Sequence, residues 1–356
     1  MPGWRHCARV TMQPELLIPP AISLLVSLLV CLVLSRYRGR WALLDIPNER
    51  SLHSGATPRS GGLGILAGLL AGYTVAAAAF AFTLPGQGWV IVVFLLTAGV
   101  SFADDVWRLP PLLRFLVHLA AAVLLVFPAG YGLMVIALPG ASWHAPASLL
   151  DAFSVLFIIW MVNLYNFMDG MDGFAGGMAC LGFATLALLG LLAGAPIYAL
   201  AAFVVCAAAA GFLPFNFPPA RLFMGDLGSG SLGFLVALFL LWADRAGLFP
   251  LWLGCVVFSP FIVDATWTVI RRTVQGKKPW EAHREHFYQR LVRLGWGHRR
   301  TVLWSYTLML KCSLIAVICF CFTAVGVQGI MLGLLTVAYI ALITGINAME
   351  RGRPSR

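Results

Sequence analysis

Four short polar segments, each set between long apolar runs, carry the residues with the clearest potential for chemistry. They read FADDVWRLPP (102–111), NLYNFMDGMDG (163–173), FNFPPARLFMGDLGSGS (215–231) and RRTVQGKKPWEAHREHFYQRL (271–291). Carboxylates are unfavourable near hydrocarbon, so carboxylates at the ends of apolar runs call for a compensating function. These segments therefore hold the candidate site residues.

Aspartates dominate the first three segments. Asp104 and Asp105 are adjacent, and neighbouring carboxylates repel each other unless a cation or a proton lies between them. Asp169 and Asp172 are three residues apart, so on a helix they share one face. Asp226 lies among glycines before an apolar run, which suits a phosphate and a metal ion at a helix N-terminus. Each group also has a structural alternative. Asp104 and Asp105 could form a solvated helix end, Asp169 and Asp172 a solvated turn, and the segment around Asp226 a plain loop.

The fourth segment is basic. Its histidines, His283 and His286, follow two arginines and two lysines, which indicates either a phosphate-binding loop or a solvated basic loop. The sequence has no HExxH motif, no Cys/His set at zinc spacing, no GxSxG and no Walker A lysine motif. Oxygen ligands without thiolates favour Mg²⁺ or Mn²⁺. The residues alone therefore predict an enzyme that uses a divalent cation and phosphate-bearing substrates.

Composition places the four segments in a membrane protein. Of the 356 residues, 60% are hydrophobic and 11% are charged, and the mean hydropathy is +0.88. A soluble domain averages about 25% charged residues. Seven of the eight cysteines lie in apolar runs and no CxxC pair occurs, so we interpret them as buried apolar residues. We predict an all-α, polytopic membrane protein with one integral-membrane domain over residues 1–356.

Apolar runs predict about eleven transmembrane helices, since a bilayer core needs about 20 apolar residues per helix. The predicted spans are roughly 16–35, 61–83, 88–103, 112–131, 150–167, 174–194, 196–215, 229–243, 248–270, 302–324 and 327–348. The third and eighth spans are short, and the segment 131–150 is ambiguous.

Basic residues are distributed unevenly between the connections. The basic-rich set comprises about 36–60, 104–111, 168–173, 216–228, 271–301 and the tail from 349. The opposite set holds only Arg5, Arg9 and Arg245. By the positive-inside rule the basic-rich set is cytoplasmic, which puts the N-terminus outside and the C-terminus inside. The net charge of +10 then faces membrane lipids and phosphorylated substrates rather than nucleic acid, and the four polar segments open into one cytoplasm-facing cleft.

Taken in this order and on one side, the four segments resemble the polyprenyl-phosphate N-acetylhexosamine-1-phosphate transferase superfamily, glycosyltransferase family 4. The resemblance runs from LLDIPNERSLHSGATPRSGGLGI (43–65) to HREHFYQRL (283–291), and it looks closest to the branch that starts O-antigen or capsule synthesis. It implies a bacterial inner-membrane enzyme that requires Mg²⁺. The implied reaction transfers N-acetylhexosamine-1-phosphate from a UDP-N-acetylhexosamine to undecaprenyl phosphate and releases UMP.

The resemblance also implies roles for individual residues. Asp104 and Asp105 match the family's catalytic aspartate pair; Asp104 is the preferred base for the lipid phosphate, and Asp105 alternatively supports the metal. Asp226 matches the metal-ligating aspartate, and Asp172 is expected at the metal as well. The residues expected at the nucleotide, diphosphate or sugar are Asn166, Asp169, Asn216, Phe223, His283, Arg284, His286, Arg59 and Ser60.

Several alternatives stay open at this stage. AHREHFYQRL differs from the triple-His motif of the peptidoglycan branch, which argues against a muramoyl-pentapeptide donor. UDP-GlcNAc, UDP-N-acetylfucosamine and UDP-N-acetylquinovosamine are alternative donors, and a homodimer is one alternative for the oligomeric state. A transporter is disfavoured because the acidic residues gather at one interface, and CDP-alcohol phosphotransferases because DGMDGFAGG lacks their arginine. A non-catalytic lipid-binding relative is the remaining alternative.

Overall fold

The computed structural model describes residues 14–37, 43–45, 56–80, 82–278 and 283–351. Its α-helices are α1 (Ile18–Arg36), α2 (Gly61–Phe80), α3 (Gln87–Trp107), α4 (Pro111–Val126), α5 (Ala147–Met168), α6 (Phe174–Leu192), α7 (Pro196–Asn216), α8 (Gly225–Arg245), α9 (Leu251–Val257), α10 (Ser259–Val274), α11 (Phe287–Leu291), α12 (Gly297–Cys321) and α13 (Val325–Arg351). The strands form two short antiparallel pairs, β1 (Leu44–Asp45) with β2 (Thr57–Pro58) and β3 (Ile136–Leu138) with β4 (Ala141–Trp143). The predicted all-α class is confirmed.

The helices match the predicted spans closely. Over the described residues, nine helices are long and apolar enough to cross a membrane, and the pair α9 and α10, bent by 85°, makes a tenth span. Helix α4 is apolar but shorter, and it occupies the predicted fourth span. The ambiguous segment 131–150 contains the β3–β4 hairpin before α5 begins.

Some predicted boundaries are wrong because helices continue into the polar segments. Helix α3 runs through Asp104 and Asp105 to Trp107, so this pair lies in the last turns of a helix rather than in a connection. Helix α8 begins at Gly225, four residues before the predicted start at 229, because tertiary packing holds the glycine-rich segment helical. Much of the predicted loop 271–301 is likewise helical in α10, α11 and α12.

The prediction that Asp169 and Asp172 share a helix face is wrong. Helix α5 ends at Met168, and residues 169–173 form a turn before α6. Gly173 has a φ of +73°, a backbone conformation that glycine adopts without strain. The two carboxylates therefore leave the turn in different directions, and each has its own partners.

Helix α8 lies at the centre of the bundle, and nearly all of its residues are buried. Its small residues let neighbouring helices approach closely, as is common between membrane helices. A Cβ at Gly62 of α2 would lie 2.5 Å from the backbone nitrogen of Gly228, and a Cβ at Gly233 would lie 2.7 Å from the carbonyl oxygen of Met161 in α5. This packing fixes the start of α8 against its neighbours.

The four polar segments meet at one end of the bundle. Contacts join Asp105 to the start of α8, Asp172 to Ala220 in the connection before α8, and Tyr288 of the fourth segment to Phe167 of the second. Residues 1–13, 38–42 and 46–55 lie outside the described residues, together with the predicted charges at Arg5 and Arg9. Assignment of the site end of the bundle to the cytoplasm stays a prediction of the charge distribution.

Candidate active site at the start of helix α8

Asp105 holds the start of α8 in place. The helix has no side-chain cap of its own. Asp105 Oδ1 accepts the N–H of Asp226 at 3.0 Å, and Oδ2 accepts the N–H of Leu227 at 2.8 Å. Arg59 Nε lies 3.7 Å from Oδ1, and its guanidinium donates to the Asp105 carbonyl. A carboxylate at a helix N-terminus is favourable, so Asp105 positions Asp226.

Asp104 and Asp226 share one cation. Asp104 Oδ1 accepts the N–H of Leu109 at 2.7 Å, and Oδ2 pairs closely with Arg114 Nη1. The same Nη1 lies 3.9 Å from Asp226 Oδ2. The Asp104 and Asp226 carboxyl groups are within hydrogen-bonding reach of each other. Two carboxyls this close require a proton or a cation between them.

Asp169 and Asp172 have different surroundings. Asp169 keeps a partly accessible surface but lies deep among other atoms. Burial raises the pKa of Asp169 well above its usual range, and neighbouring carboxylates, of which Asp226 contributes most, add to the shift. Asp172 Oδ2 accepts the N–H of Ala220 at 3.0 Å, and Oδ1 lies 3.3 Å from His298 Nδ1. Asp169 thus faces the carboxylate cluster, whereas Asp172 ties two connections together.

Asn166 lies beside α8, whereas Asn216 joins two connections. Asn166 Oδ1 accepts from the Ser229 hydroxyl at 3.2 Å, which places the amide beside α8. Asn216 is buried; its Oδ1 accepts the N–H of Gly173 at 2.9 Å, and its Nδ2 donates to the Leu222 carbonyl at 3.0 Å. Asn216 therefore stabilises the turn before α6 and the connection before α8.

Arg59, Ser60 and Phe223, which the sequence predicted at the substrate, have different surroundings. The Phe223 N–H donates to the Pro58 carbonyl at 2.7 Å, and its carbonyl accepts from the Gly61 N–H at 2.8 Å, which joins β2 and α2 to the start of α8. Arg59 contacts Asp105, as described above. Ser60 instead lines an apolar cavity of about 450 Å³ beside α1 and α3.

The histidine loop is organised by Asp264, a buried residue of α10. Asp264 Oδ1 lies 3.2 Å from His286 Nδ1 and accepts the N–H of Phe287 at 2.9 Å. His283 Nδ1 accepts the N–H of Glu285 at 3.3 Å, which leaves the ring proton on Nε2. Burial, with the nearby charge of His286, lowers the pKa of His283 to about 4. His283 is thus a neutral donor, and His286 is a buried support.

Glu285 binds this loop to the end of α10. Its carboxylate accepts from Arg272 at 2.6 Å, from Lys277 at 2.8 Å and from Arg271 at 3.4 Å. Although burial opposes the shift, these cations lower the pKa of Glu285. Arg284, half-buried, lies between His283 and Glu285 in this basic loop.

The basic loop borders the aspartate cluster. The Tyr288 hydroxyl donates to the Phe167 carbonyl at 3.2 Å, two residues before Asp169. The structure therefore brings Arg59, Asp104, Asp105, Asp169 and Asp226 together, with Asn166, Asp172 and the histidine loop around them.

A cavity of about 580 Å³ opens beside this cluster, between α3, α4, α5 and α8. Asp104, Asp226, Asn166 and Arg114 line it at one end. The remaining lining is mostly apolar, and it includes the exposed side chains of Leu112, Phe115 and Phe167. The cavity thus combines a charged end with an apolar continuation at a lipid-facing surface.

The charged end fits a divalent cation. In the described parts of the chain, no three His, Cys, Asp or Glu side chains are close enough to enclose a metal ion. Mg²⁺ does not require such a cage, since it is usually held by one or two carboxylates, water and substrate phosphates. Asp104 and Asp226 supply two crowded carboxyl groups, whereas the Asp172 oxygens contact Ala220 and His298. The residues fit a site that the substrate completes.

Sequence reasoning missed several contributors. Arg114, Asp264, His298 and His118 are not among the predicted site residues, yet each contacts a predicted site residue or lines the cavity beside the cluster. Only Arg114 could have been found from the sequence: it is a basic residue near the start of an apolar run, nine residues after Asp105. The partners of Asp264 and His298 come from distant segments, and no local pattern predicts them.

An all-α membrane bundle with clustered carboxylates at the mouth of a partly apolar cavity has the architecture of an integral-membrane enzyme. The sequence model of glycosyl transferase family 4 matches residues 88–244, which span α3 to α8. This interval contains the four clustered aspartates and Asp172 beside them.

Whole-chain relatives agree with this match. A probable undecaprenyl-phosphate N-acetylglucosaminyl 1-phosphate transferase of Bacillus subtilis is 29% identical over 86% of this chain and 87% of its own. A decaprenyl-phosphate N-acetylglucosaminephosphotransferase of Mycobacterium tuberculosis is 29% identical over 88% and 84%. An undecaprenyl-phosphate alpha-N-acetylglucosaminyl 1-phosphate transferase of Escherichia coli is 25% identical over 72% and 71%.

The match over residues 88–244 and the relatives that cover most of the chain support the polyprenyl-phosphate N-acetylhexosamine-1-phosphate transferases as the family of this chain. It is a membrane-bound sugar-phosphate transferase.

Proposed function

We propose that the protein transfers N-acetylglucosamine-1-phosphate from UDP-GlcNAc to undecaprenyl phosphate, giving undecaprenyl-diphosphate-GlcNAc and UMP. The names of the three relatives support this sugar, and two of them name undecaprenyl phosphate. UDP-N-acetylfucosamine and UDP-N-acetylquinovosamine are the competing donors. The product would start the synthesis of O-antigen or a related cell-surface polysaccharide; the resemblance of NFMDGMDG, FMGDLGS and HREHFYQRL to the branch that starts O-antigen or capsule synthesis supports this role.

The cavity beside Asp104 and Asp226 carries this proposal. Its charged end suits the reacting phosphates, and its apolar continuation suits a prenyl chain. A water-soluble donor and a membrane-bound acceptor can react only at the membrane surface. The aspartate cluster lies at the boundary between the helices and their connections, which is where that surface is expected. This requirement explains why the carboxylates gather at one end of the bundle.

Asp226 and Asp104 would hold Mg²⁺ or Mn²⁺, which when bound neutralises phosphate charge and acts as a Lewis acid. Asp105 keeps Asp226 oriented through the two N–H groups at the start of α8. Arg114 lies between the two carboxylates and offsets the repulsion between them. Because a phosphate monoester is largely ionised at neutral pH, Asp104 serves positioning more than proton removal.

The donor is expected on the side of the basic loop. His283 offers a neutral Nε2–H, and Arg284 adds positive charge for the diphosphate. Asn166 accepts a hydrogen bond from Ser229 of α8, and Asp169 faces the carboxylate cluster. Phe223 is half-buried, and its ring suits stacking on a base. Asp172, Asn216 and His286 support these groups from behind.

The site is expected to open to the cytoplasm, with the N-terminus outside and the C-terminus inside. Basic residues concentrate in the connections at the site end, which supports this orientation. Labelling of single cysteines introduced at Arg108 and at the exposed residue Ser142 of the opposite hairpin tests it in whole cells. An impermeant reagent should label position 142 alone, and labelling of 108 would reverse the orientation.

The reaction is tested by UMP release from purified protein in detergent. The protein is incubated with undecaprenyl phosphate, Mg²⁺ and each UDP-N-acetyl sugar, and Asp226→Asn is the matched inactive control. Lipid-dependent UMP from UDP-GlcNAc, lost with EDTA and restored by Mg²⁺ or Mn²⁺, is the expected result. UMP from another donor alone would replace the proposed sugar, and no lipid-dependent UMP from any donor would overturn the reaction.

A further inference from the structure

His118 is buried in the cavity without any partner. It lies on α4, only 8% of its surface is exposed, and it lines the same cavity as Asp104 and Asp226. Both ring nitrogens are buried and neither has a hydrogen-bond partner. A buried polar group left unsatisfied is unfavourable, so such groups in native proteins call for an explanation, such as a bound ligand.

His118 lies one helical turn from Arg114. The two residues are four apart on α4, so they share a face of the helix, and the rise of about 1.5 Å per residue separates their Cα atoms by about 6 Å along the axis. Because α4 enters the membrane at Pro111, His118 is the deeper of the two. It therefore lies where the charged end of the cavity gives way to the apolar continuation.

The kind of ligand is indicated by the charge and the hydrogen-bonding groups of Arg114 and His118 that are not already paired. Arg114 is already shared between Asp104 and Asp226, so much of its charge is neutralised. The imidazole keeps one N–H donor and one acceptor in its neutral form. A group that enters from the lipid-facing side and offers oxygen atoms at this depth matches the unsatisfied ring. The phosphate of a lipid is such a group.

We propose that His118 hydrogen-bonds the phosphate of the polyprenyl phosphate acceptor and thereby sets the affinity of the enzyme for that acceptor. This inference rests on the proposed function, because it takes the acceptor from that reaction. The imidazole binds the phosphate from the membrane side, opposite the carboxylate cluster. It does not contact the sugar nucleotide, which occupies the side of the basic loop.

The test uses two substitutions at His118 and one matched control. His118→Leu fills similar space without polar atoms, and its fold is retained because removing an unsatisfied polar group is close to neutral. His118→Gln restores one donor and one acceptor. His144→Leu makes the same chemical change at an exposed residue just after the β3–β4 hairpin, at the opposite end of the bundle from the site. Binding of farnesyl phosphate to each full-length protein is measured without donor, together with the KM values for both substrates.

His118→Leu should weaken farnesyl phosphate binding and raise the acceptor KM roughly tenfold to a hundredfold, as expected for loss of a hydrogen bond to a charged group. The donor KM should change less than about twofold, since no hydrogen bond to the donor is lost. His118→Gln should recover most of the affinity, and His144→Leu should match the wild type.

Unchanged acceptor binding in His118→Leu would overturn the proposal, and so would equal losses for both substrates in both His118 variants, which indicate a structural role. Wild-type binding of farnesyl phosphate without any turnover would refute the proposed reaction but leave the His118 contact measurable. Absence of lipid-phosphate binding by the wild type would refute both.

Discussion

Asp105→Asn and Asp226→Asn are the same chemical change at two neighbouring carboxylates, and we expect opposite effects on stability. Both oxygens of Asp105 accept backbone N–H groups at the start of α8. The Asp226 carboxyl instead lies against Asp104, with Arg114 at 3.9 Å. Asp105→Asn should therefore destabilise the protein, whereas Asp226→Asn should leave its stability unchanged or raised.

The size of the Asp105 effect follows from its contacts. Asparagine keeps one oxygen but presents an NH₂ group where Asp105 has its second oxygen, so one N–H of α8 is left without an acceptor. A hydrogen bond to a charged group contributes about 1.5–3 kcal/mol, and an unpaired buried donor costs roughly 1–3 kcal/mol more, so the free energy of unfolding should fall by about 2.5–6 kcal/mol. For a chain of this length, the melting midpoint should drop by an amount on the order of 5 °C.

The Asp226 effect has the opposite sign because the substitution removes a like charge from beside Asp104. Its melting midpoint should equal or exceed that of the wild type, while lipid-dependent UMP release is lost. Thermal unfolding of the three proteins in one detergent, followed by intrinsic fluorescence, gives the comparison. Equal midpoints for Asp105→Asn and the wild type, or a midpoint for Asp226→Asn below that of Asp105→Asn, would refute the division into a positioning and a reacting carboxylate.

Three further substitutions test other parts of the structure. Asp264→Asn removes a charged acceptor at the start of α11, so the donor KM should rise roughly tenfold while the acceptor KM stays unchanged; equal increases in both would contradict a role confined to the histidine loop. The pKa of His283 is lowered to about 4 from an ordinary 6.5, so the stability from its neutral ring is complete above pH 6.5 and declines as the pH falls towards 4. The melting midpoint should then fall further between pH 7 and pH 5 in the wild type than in His283→Gln, and parallel falls would count against this assignment. Gly62→Ala places a Cβ 2.5 Å from the backbone nitrogen of Gly228 and should destabilise the protein by about 1–3 kcal/mol; Gly99→Ala, with no atom within 4 Å of its Cβ, is the matched control, and equal melting midpoints would contradict the close packing.

Hydropathy predicted the membrane spans well because a long apolar run is a local property of the sequence. The convergence of the polar segments also followed, since helices that alternate across a membrane return every second connection to the same side. The glycine-rich start of α8 at Gly225 was not predicted, because intrinsic propensity disfavours a helix there and only packing against other helices holds one. The same limit applies to Asp169 and Asp172, where the turn replaces the expected helix.

The candidate site was predicted as a set of residue types, but not as a set of roles. Asp105, Asn216 and His286 were expected at the substrate or the metal, and the structure shows each engaged with backbone or side-chain groups from distant segments. His118 gave no signal at all, because a histidine within an apolar helix has the same local pattern whether or not its ring finds a partner. Such roles depend on which polar atoms lack a hydrogen-bond partner once the helices have packed, and contacts between distant segments of the chain decide this.

The division among the aspartates follows from one geometric constraint. Asp226 is the first acidic residue of α8, so its direction depends on how the N-terminus of that helix is held. A helix that begins with glycines and has no cap of its own would fray, and Asp105 prevents this from α3, a neighbouring helix, rather than from within the chain of α8. Because both Asp105 oxygens are occupied in this way, the adjacent Asp104 is the member of the pair that turns towards Asp226, Arg114 and the cavity. Two neighbouring aspartates on one helix thus serve different purposes: one fixes the metal-binding candidate in place, and the other shares its charge environment.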